Sequence, residues 1–318
     1  MKIKDIKKSI KKIRKEKPKE YSRINEIKVY NGKDNLVDGT LVLEGGAFRG
    51  LYTAGVLDCL IDNDINLTNV IGISAGALNG ANYLAGNRGR SAIAILKNRF
   101  NPHYVGLKAY RESGSVVGFK YLFEDLNEEC QINEDRLYKG DRNLYVGATN
   151  LSTGKTDYFK IDNHDIYVKA CTASASMPLV SKMVKIGDNK YLDGGCETKL
   201  PIRYAIDNKF QKIVFVGTRP LSYRRKKTNV EIKLETKRYF RYPNFLTSLK
   251  NANKRYNLDA EFLEQLANKK AIFTVCPSEP VKVSRLEKDV EKLGELYMLG
   301  YSDTQKVLPE LKEYLNIK

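Results

Sequence analysis

Two stretches of this 318-residue chain carry the residue types and spacing that covalent chemistry needs. The first is Gly72-Ile73-Ser74-Ala75-Gly76, preceded by Val70-Ile71 and followed by an Ala-rich helix former. A β-branched run, a Gly-x-Ser-x-Gly pentad and a helix former predict a strand, a sharp turn and a helix, with Ser74 at the apex. The hydroxyl would stand above the helix N-terminus, whose dipole favours developing negative charge. Gly72 and Gly76 fit positions where a side chain would collide as strand and helix cross. The same pattern also suits a serine that merely caps a helix after a buried strand. The second stretch is Asp193-Gly194-Gly195, after Lys190-Tyr191-Leu192. It reads either as a plain Asp-Gly turn or as a carboxylate base on a loop that must approach the serine closely.

A third segment, Glu44-Gly45-Gly46-Ala47-Phe48-Arg49-Gly50, joins the strand Thr40–Leu43 to a helix expected over Leu51–Ile61. Such a glycine turn presents backbone N–H groups to an anion. It lacks the Gly-Lys-Ser/Thr ending of a phosphate loop and the G-x-G-x-x-G spacing of a dinucleotide site. An oxyanion site for a tetrahedral acyl intermediate is the alternative. Arg49 adds a positive charge there, to orient the loop or an anionic head group, or simply to cap a carbonyl. The two histidines, His103 and His164, both precede Asp193 and no histidine follows them. An α/β-hydrolase needs its His last in the order Ser, acid, His. The remaining plan is a serine served by a carboxylate.

The elements that must position these groups are legible from periodicity. Helices are expected over 75–86, 90–99 and 166–175, and from about 283 to the C-terminus. Strands are expected at Leu144–Ala148, with Asp157–Ile161 as its hairpin partner, and at Lys212–Val216 and Ala271–Cys276. Ser174 and Ser176 read as small packing residues. Tyr104, Tyr110, Phe119, Tyr121 and Phe123 either line an apolar channel or pack in the core.

The formal charge of +17 is concentrated. Residues 1–28 hold 12 Lys and Arg against 4 Asp and Glu, and residues 219–255 hold 12 against 2. Ile3, Ile6, Ile10 and Ile13 give the first segment the pattern of a basic amphipathic helix, suited to anionic lipid or to packing on the domain. The second interleaves bases and aromatics across Arg238–Leu246, a composition that fits a bilayer boundary. Single-stranded nucleic acid would also accept it, but no nucleic-acid motif supports that partner, and none is expected. No apolar run approaches the roughly 18 residues of a membrane span. The five unpaired cysteines suggest a reducing compartment, with Cys59 and Cys171 buried. The expectation is a cytoplasmic protein, to which a peripheral position on the inner membrane face is open. Neither a metal site nor a cofactor is expected, and oligomeric state is not legible.

The glycine-rich Glu44–Gly50 loop, the Gly72–Gly76 pentad and Asp193-Gly194-Gly195, in this order, resemble the patatin-like phospholipase family, in particular its bacterial branch with a helical C-terminal extension. The resemblance runs from about residue 39 to the end. It implies a three-layer α/β/α fold with a central, mostly parallel sheet, covering 39–318 after a basic extension at 1–38. Residues 219–255 would be an excursion, and C-terminal helices would follow residue 283. It further implies a Ser-Asp dyad that cleaves fatty-acyl esters of a phospholipid or lysophospholipid. Ser74 would be the nucleophile, Asp193 the general base, and the Gly45, Gly46 and Ala47 amides the oxyanion donors, with Arg49 nearby. Ala47 stands where the family usually has a third glycine. Alanine is at ease there at negative φ, whereas positive φ would cost it about 1 kcal/mol. The competing reading is a catalytically silent protein of the same fold that docks on anionic membranes through residues 1–28 and 219–255.

Overall fold

A computed structural model describes residues 20–126, 130–226 and 233–317. The amphipathic helix expected around Ile3–Ile13 lies outside the described residues. The strands of the main sheet are β1 (Val37–Leu43), β2 (Leu67–Ile73), β3 (Asn143–Asn150), β4 (Thr156–Ile161), β5 (Val184–Ile186), β6 (Asn189–Asp193), β7 (Ile213–Val216) and β8 (Phe273–Val275). Their order is β8-β7-β1-β2-β3-β6-β5, with β4 on the other edge of β3. From β8 to β3 every pairing is parallel, and the pairings of β4, β5 and β6 are antiparallel.

Helices cover both faces because side chains alternate along the central strands. Leu41, Leu43, Val70, Val214 and Val216 point to one face, under α1 (Gly50–Asp62), α2 (Ala75–Leu84), α3 (His164–Ala175) and the C-terminal α5 (Val290–Leu315). Val42, Ile71, Ile213 and Phe215 point to the other, against the short helix Ile202–Asp207 and α4 (Pro243–Asn268). This is the three-layer α/β/α arrangement with a helical C-terminal region.

α5 crosses α1 at glycine contacts. A Cβ on Gly55 would lie 2.0 Å from the Tyr297 carbonyl oxygen, and one on Gly300 would lie 2.1 Å from that of Tyr52. The Tyr297 hydroxyl donates to Asp58 at 2.8 Å and that of Tyr301 to Asp62 at 2.8 Å across the same junction. Part of the basic extension belongs to this body as well. Tyr21 is buried against Gly294, and its hydroxyl donates to Glu295.

Candidate active site

Ser74 follows the last residue of β2 and precedes the first of α2. It holds φ 55° and ψ −122°, a sparsely populated conformation for a residue with a side chain. Glycines make the turn possible. A Cβ on Gly72 would sit 2.7 Å from the Ala77 backbone, and one on Gly76 would sit 2.7 Å from the Leu43 carbonyl oxygen. The loop after β1 leans on the same turn, since a Cβ on Gly45 would lie 3.0 Å from the Ile73 carbonyl oxygen and 3.2 Å from the Ser74 Cβ.

Strand register brings the aspartate in. Gly147 on β3 pairs with Ile73, the last residue of β2, and with Tyr158 on its other side. The next residue, Ala148, pairs with Asp193 on the edge that β2 has just vacated. β6 therefore takes over where β2 ends, and Asp193 arrives beside Ser74. Ser74 Oγ donates to Asp193 Oδ2 at 2.9 Å, while Asp193 Oδ1 accepts the Gly195 amide at 2.7 Å. One carboxylate oxygen is anchored so that the other faces the serine. Gly194 has no room for a side chain, because its Cβ would lie 2.4 Å from the Gly147 carbonyl oxygen.

Both groups are buried, Ser74 at 7% and Asp193 at 9% exposure. Burial raises the Asp193 pKa above the usual carboxylate range. The Gly195 amide, the Lys199 charge and the Ser74 hydroxyl pull it back only in part. A carboxylate in this state is a stronger base than one in water. Neither histidine is involved: His103 contacts Glu112 and His164 contacts Glu134.

The Gly45–Arg49 loop divides its amides. Gly45 N donates at 3.4 Å to the Lys199 carbonyl, Phe48 N to that of Arg285 and Arg49 N to that of Gly46. The Gly46 and Ala47 amides have no such acceptor among the described residues, and both residues line a cavity with Ser74. Of the three amides expected to face an oxyanion, that of Gly45 already has an acceptor within the protein. Ala47 has φ +50°, so the strain weighed from the sequence is present. Glu44 anchors the loop from beneath. It is buried, and its carboxylate accepts the Thr218 amide at 2.6 Å.

Ser74 stands at the junction of two cavities. One, of about 90 Å³, is largely apolar and is lined by Phe48, Leu78, Ile95, Tyr104, Phe123 and Tyr167. Of the aromatics singled out in the sequence, Tyr104 and Phe123 line this channel. Phe119 is buried, and Tyr110 is partly exposed. The second cavity, of about 370 Å³, holds Asp193, Arg49, Lys199, Arg225 and Arg285.

One residue that reads from the sequence as small packing has a further part here. Ser174, on α3 and fully buried, accepts the Ser74 amide at 2.8 Å and donates to the Gly147 carbonyl at 2.6 Å. It ties the serine turn to β3. Among the described residues no cluster of His, Cys, Asp and Glu could hold a metal ion, and no helix is long and apolar enough to cross a membrane.

Fold and site together describe an α/β/α protein whose buried serine is hydrogen-bonded to a buried aspartate beneath a glycine loop. The chain belongs to the patatin-like phospholipase family, whose model matches residues 41–206, more than half of its length. That membership places it among lipid-hydrolysing enzymes. Residues 242–316, which contain α4 and α5, match a second family, described as a domain of unknown function (DUF6363). Among individual proteins, the chain is 23% identical to the uncharacterized protein YjjU of Escherichia coli (strain K12) over 275 residues, which is 82% of this chain and 74% of that protein. It is 28% identical to the probable lipid hydrolase 463L of Invertebrate iridescent virus 6 over 182 residues, covering 52% of this chain and 63% of the viral one. Among solved structures, VipD from Legionella pneumophila aligns over 95% of this chain and 73% of its own, with 12% identity and a TM-score of 0.44.

Proposed function

We propose that this protein is a serine carboxylic ester hydrolase that cleaves fatty-acyl esters of phospholipids or lysophospholipids through Ser74 and Asp193. The observation that carries the reading is the 2.9 Å hydrogen bond between the Ser74 hydroxyl and a buried, anchored carboxylate. Ser74 Oγ attacks the acyl carbon as its proton passes to Asp193 Oδ2. The carbonyl oxygen becomes an oxyanion and takes the two uncommitted amides of Gly46 and Ala47. Collapse breaks the ester bond, and the departing alkoxide recovers the proton from Asp193. Water then attacks the acyl-enzyme, Asp193 accepts its proton, and the fatty acid leaves as Ser74 is reprotonated. The apolar cavity suits the acyl chain, and the second cavity suits the leaving group.

Membrane docking belongs to the same proposal. Leu107, Leu179, Leu234, Phe240 and Leu286 are exposed, and Leu286 also lines both cavities. Within the basic 219–255 segment Tyr239 and Phe245 are buried, so Phe240 is the aromatic there most available to a bilayer.

A fluorophosphonate probe tests the reading. It is expected to label Ser74 covalently, and Asp193→Asn is expected to abolish ester hydrolysis while circular dichroism stays native. An unlabelled wild-type protein, or near-normal turnover by the Asn variant, would remove this pair from the mechanism.

A further inference from the structure

The larger cavity holds more positive charge than the reaction described above requires. Four cationic side chains line it, Arg49, Lys199, Arg225 and Arg285, against two acids, Asp193 and Glu235. Asp193 is committed to Ser74 and Gly195. None of the four cations forms an ion pair with an acid among the described residues. Arg49 is 6% exposed, and its Nε has no hydrogen-bond partner among the described residues. The buried Nε of Arg225 likewise has no partner among the described residues. Its guanidinium lies 4.4 Å over the Tyr256 ring, with one long contact of 3.5 Å to Asn253. Arg285, an exposed residue, borders the cavity from the segment before α5, and its side chain makes no hydrogen bond among the described residues. Among the described residues the Lys199 ammonium donates to the Gly195 carbonyl alone.

Buried guanidinium donors without acceptors are costly unless a ligand supplies the acceptors. Planar forks of this kind match phosphate oxygens two at a time. The four cations come from four separate segments: the glycine loop, the turn after β6, the chain after β7 and the chain before α5. They line one chamber together with Ser74 and Asp193.

We propose that this chamber seats the leaving group and selects one bearing a phosphate, preferring a doubly charged phosphomonoester to zwitterionic head groups and to uncharged glycerides. The proposal rests on the hydrolase reading for its kinetics but not for its binding. Two spare negative charges on the ligand would balance the two cations left over once Asp193 and Glu235 are counted. A zwitterion would bring a further cation into the chamber with Glu235 as its one uncommitted acid. A glyceride would leave the buried Nε donors unmet.

The experiment compares phosphatidate, phosphatidylcholine and diacylglycerol of identical acyl chains in mixed micelles. A dialkyl-ether phosphatidylglycerol holds the surface charge constant. Phosphatidate is expected to show a kcat/KM at least tenfold above the other two. Arg285→Gln and Arg225→Gln are expected to lower that ratio at least fivefold. Equal rates on all three lipids, or variants that slow all three alike, would overturn the proposal. Inorganic phosphate is the second arm. Competitive inhibition of neutral-ester hydrolysis together with the lipid preference supports it, whereas inhibition without a preference marks a site for free phosphate and overturns it. Calorimetric titration of Ser74→Ala with glycerol 3-phosphate reads the chamber without turnover. Binding that weakens tenfold in Ser74→Ala/Arg285→Gln supports the proposal, and no binding refutes it. Failure of 4-nitrophenyl butyrate hydrolysis would count against the hydrolase reading alone.

Discussion

Replacing Ser174 with alanine separates the support of the serine turn from its chemistry. The Ser174 hydroxyl is fully buried and bridges the Ser74 amide, at 2.8 Å, to the Gly147 carbonyl, at 2.6 Å. Alanine leaves the amide without a partner in a place where a buried unsatisfied group costs about 1–3 kcal/mol. The Gly147 carbonyl sits in a strand paired on both sides, so its loss is the smaller of the two. We expect Ser174→Ala to lower unfolding stability by about 2–4 kcal/mol, read from the urea midpoint at unchanged slope. The lost bond also restrains Ser74 in a conformation that costs about 1–3 kcal/mol. At a temperature where the variant is fully folded, its labelling by fluorophosphonate should therefore slow at least tenfold. A stability change below about 0.5 kcal/mol with an unchanged labelling rate would show that Ser174 only fills space, refuting the reasoning.

Other perturbations probe the loop, the titrating groups and the surface. Ala47→Gly relieves a residue held at φ +50° and should raise stability by about 0.5–1 kcal/mol, measured by denaturation. A loss of stability would place the strain elsewhere. On a neutral ester, kcat/KM should rise with pH through a pKa above the usual carboxylate range. Asp193 must be ionised to act as a base, and burial makes it protonate sooner on acidification. An acid limb near pH 4 would refute that role. Burial, with the repulsion of Arg225, lowers the Lys199 pKa to about 8. Above that pH hydrolysis of phosphatidate should decline while the neutral ester does not follow. A shared decline would separate Lys199 from the head group. Co-sedimentation with anionic liposomes should weaken with salt, whose screening length is about 10 Å at 0.1 M, and on deletion of residues 1–19. Binding indifferent to both would end the docking proposal.

Much of the fold and of the site could be read from the chain because steric demands on backbone act through near neighbours. Gly72, Gly76 and Gly194 each face backbone atoms at 2.4–2.7 Å, and only glycine satisfies that contact. Each is therefore written in the sequence next to the residue it exposes. The sheet was equally legible, since the alternation of Leu41, Val42 and Leu43 names two buried faces. The aromatics of residues 238–246 were not. Tyr239 and Phe245 pack together with ring centroids 5.2 Å apart, and their burial depends on Leu151 and Leu192, far away in the chain.

What stayed hidden arises where distant segments meet. Ser174 lies 100 residues from the amide it holds, and nothing around it distinguishes a supporting hydroxyl from a packing one. The cations of the second cavity are dispersed among 55 Lys and Arg, so the charge excess of residues 219–255 reads as a surface property. In the folded chain Arg224 pairs with Glu264, Arg255 pairs with Glu197, and Arg225 lines the cavity that Ser74 also borders. The same arithmetic that suggested a membrane face therefore splits into charges neutralised within the fold and charges that line the chamber. Net charge along the sequence cannot tell these apart. The discriminating feature is that Arg49, Arg225 and Arg285 form no ion pair with an acid among the described residues, and that exists only once β7, α4 and α5 have closed around the loop after β1.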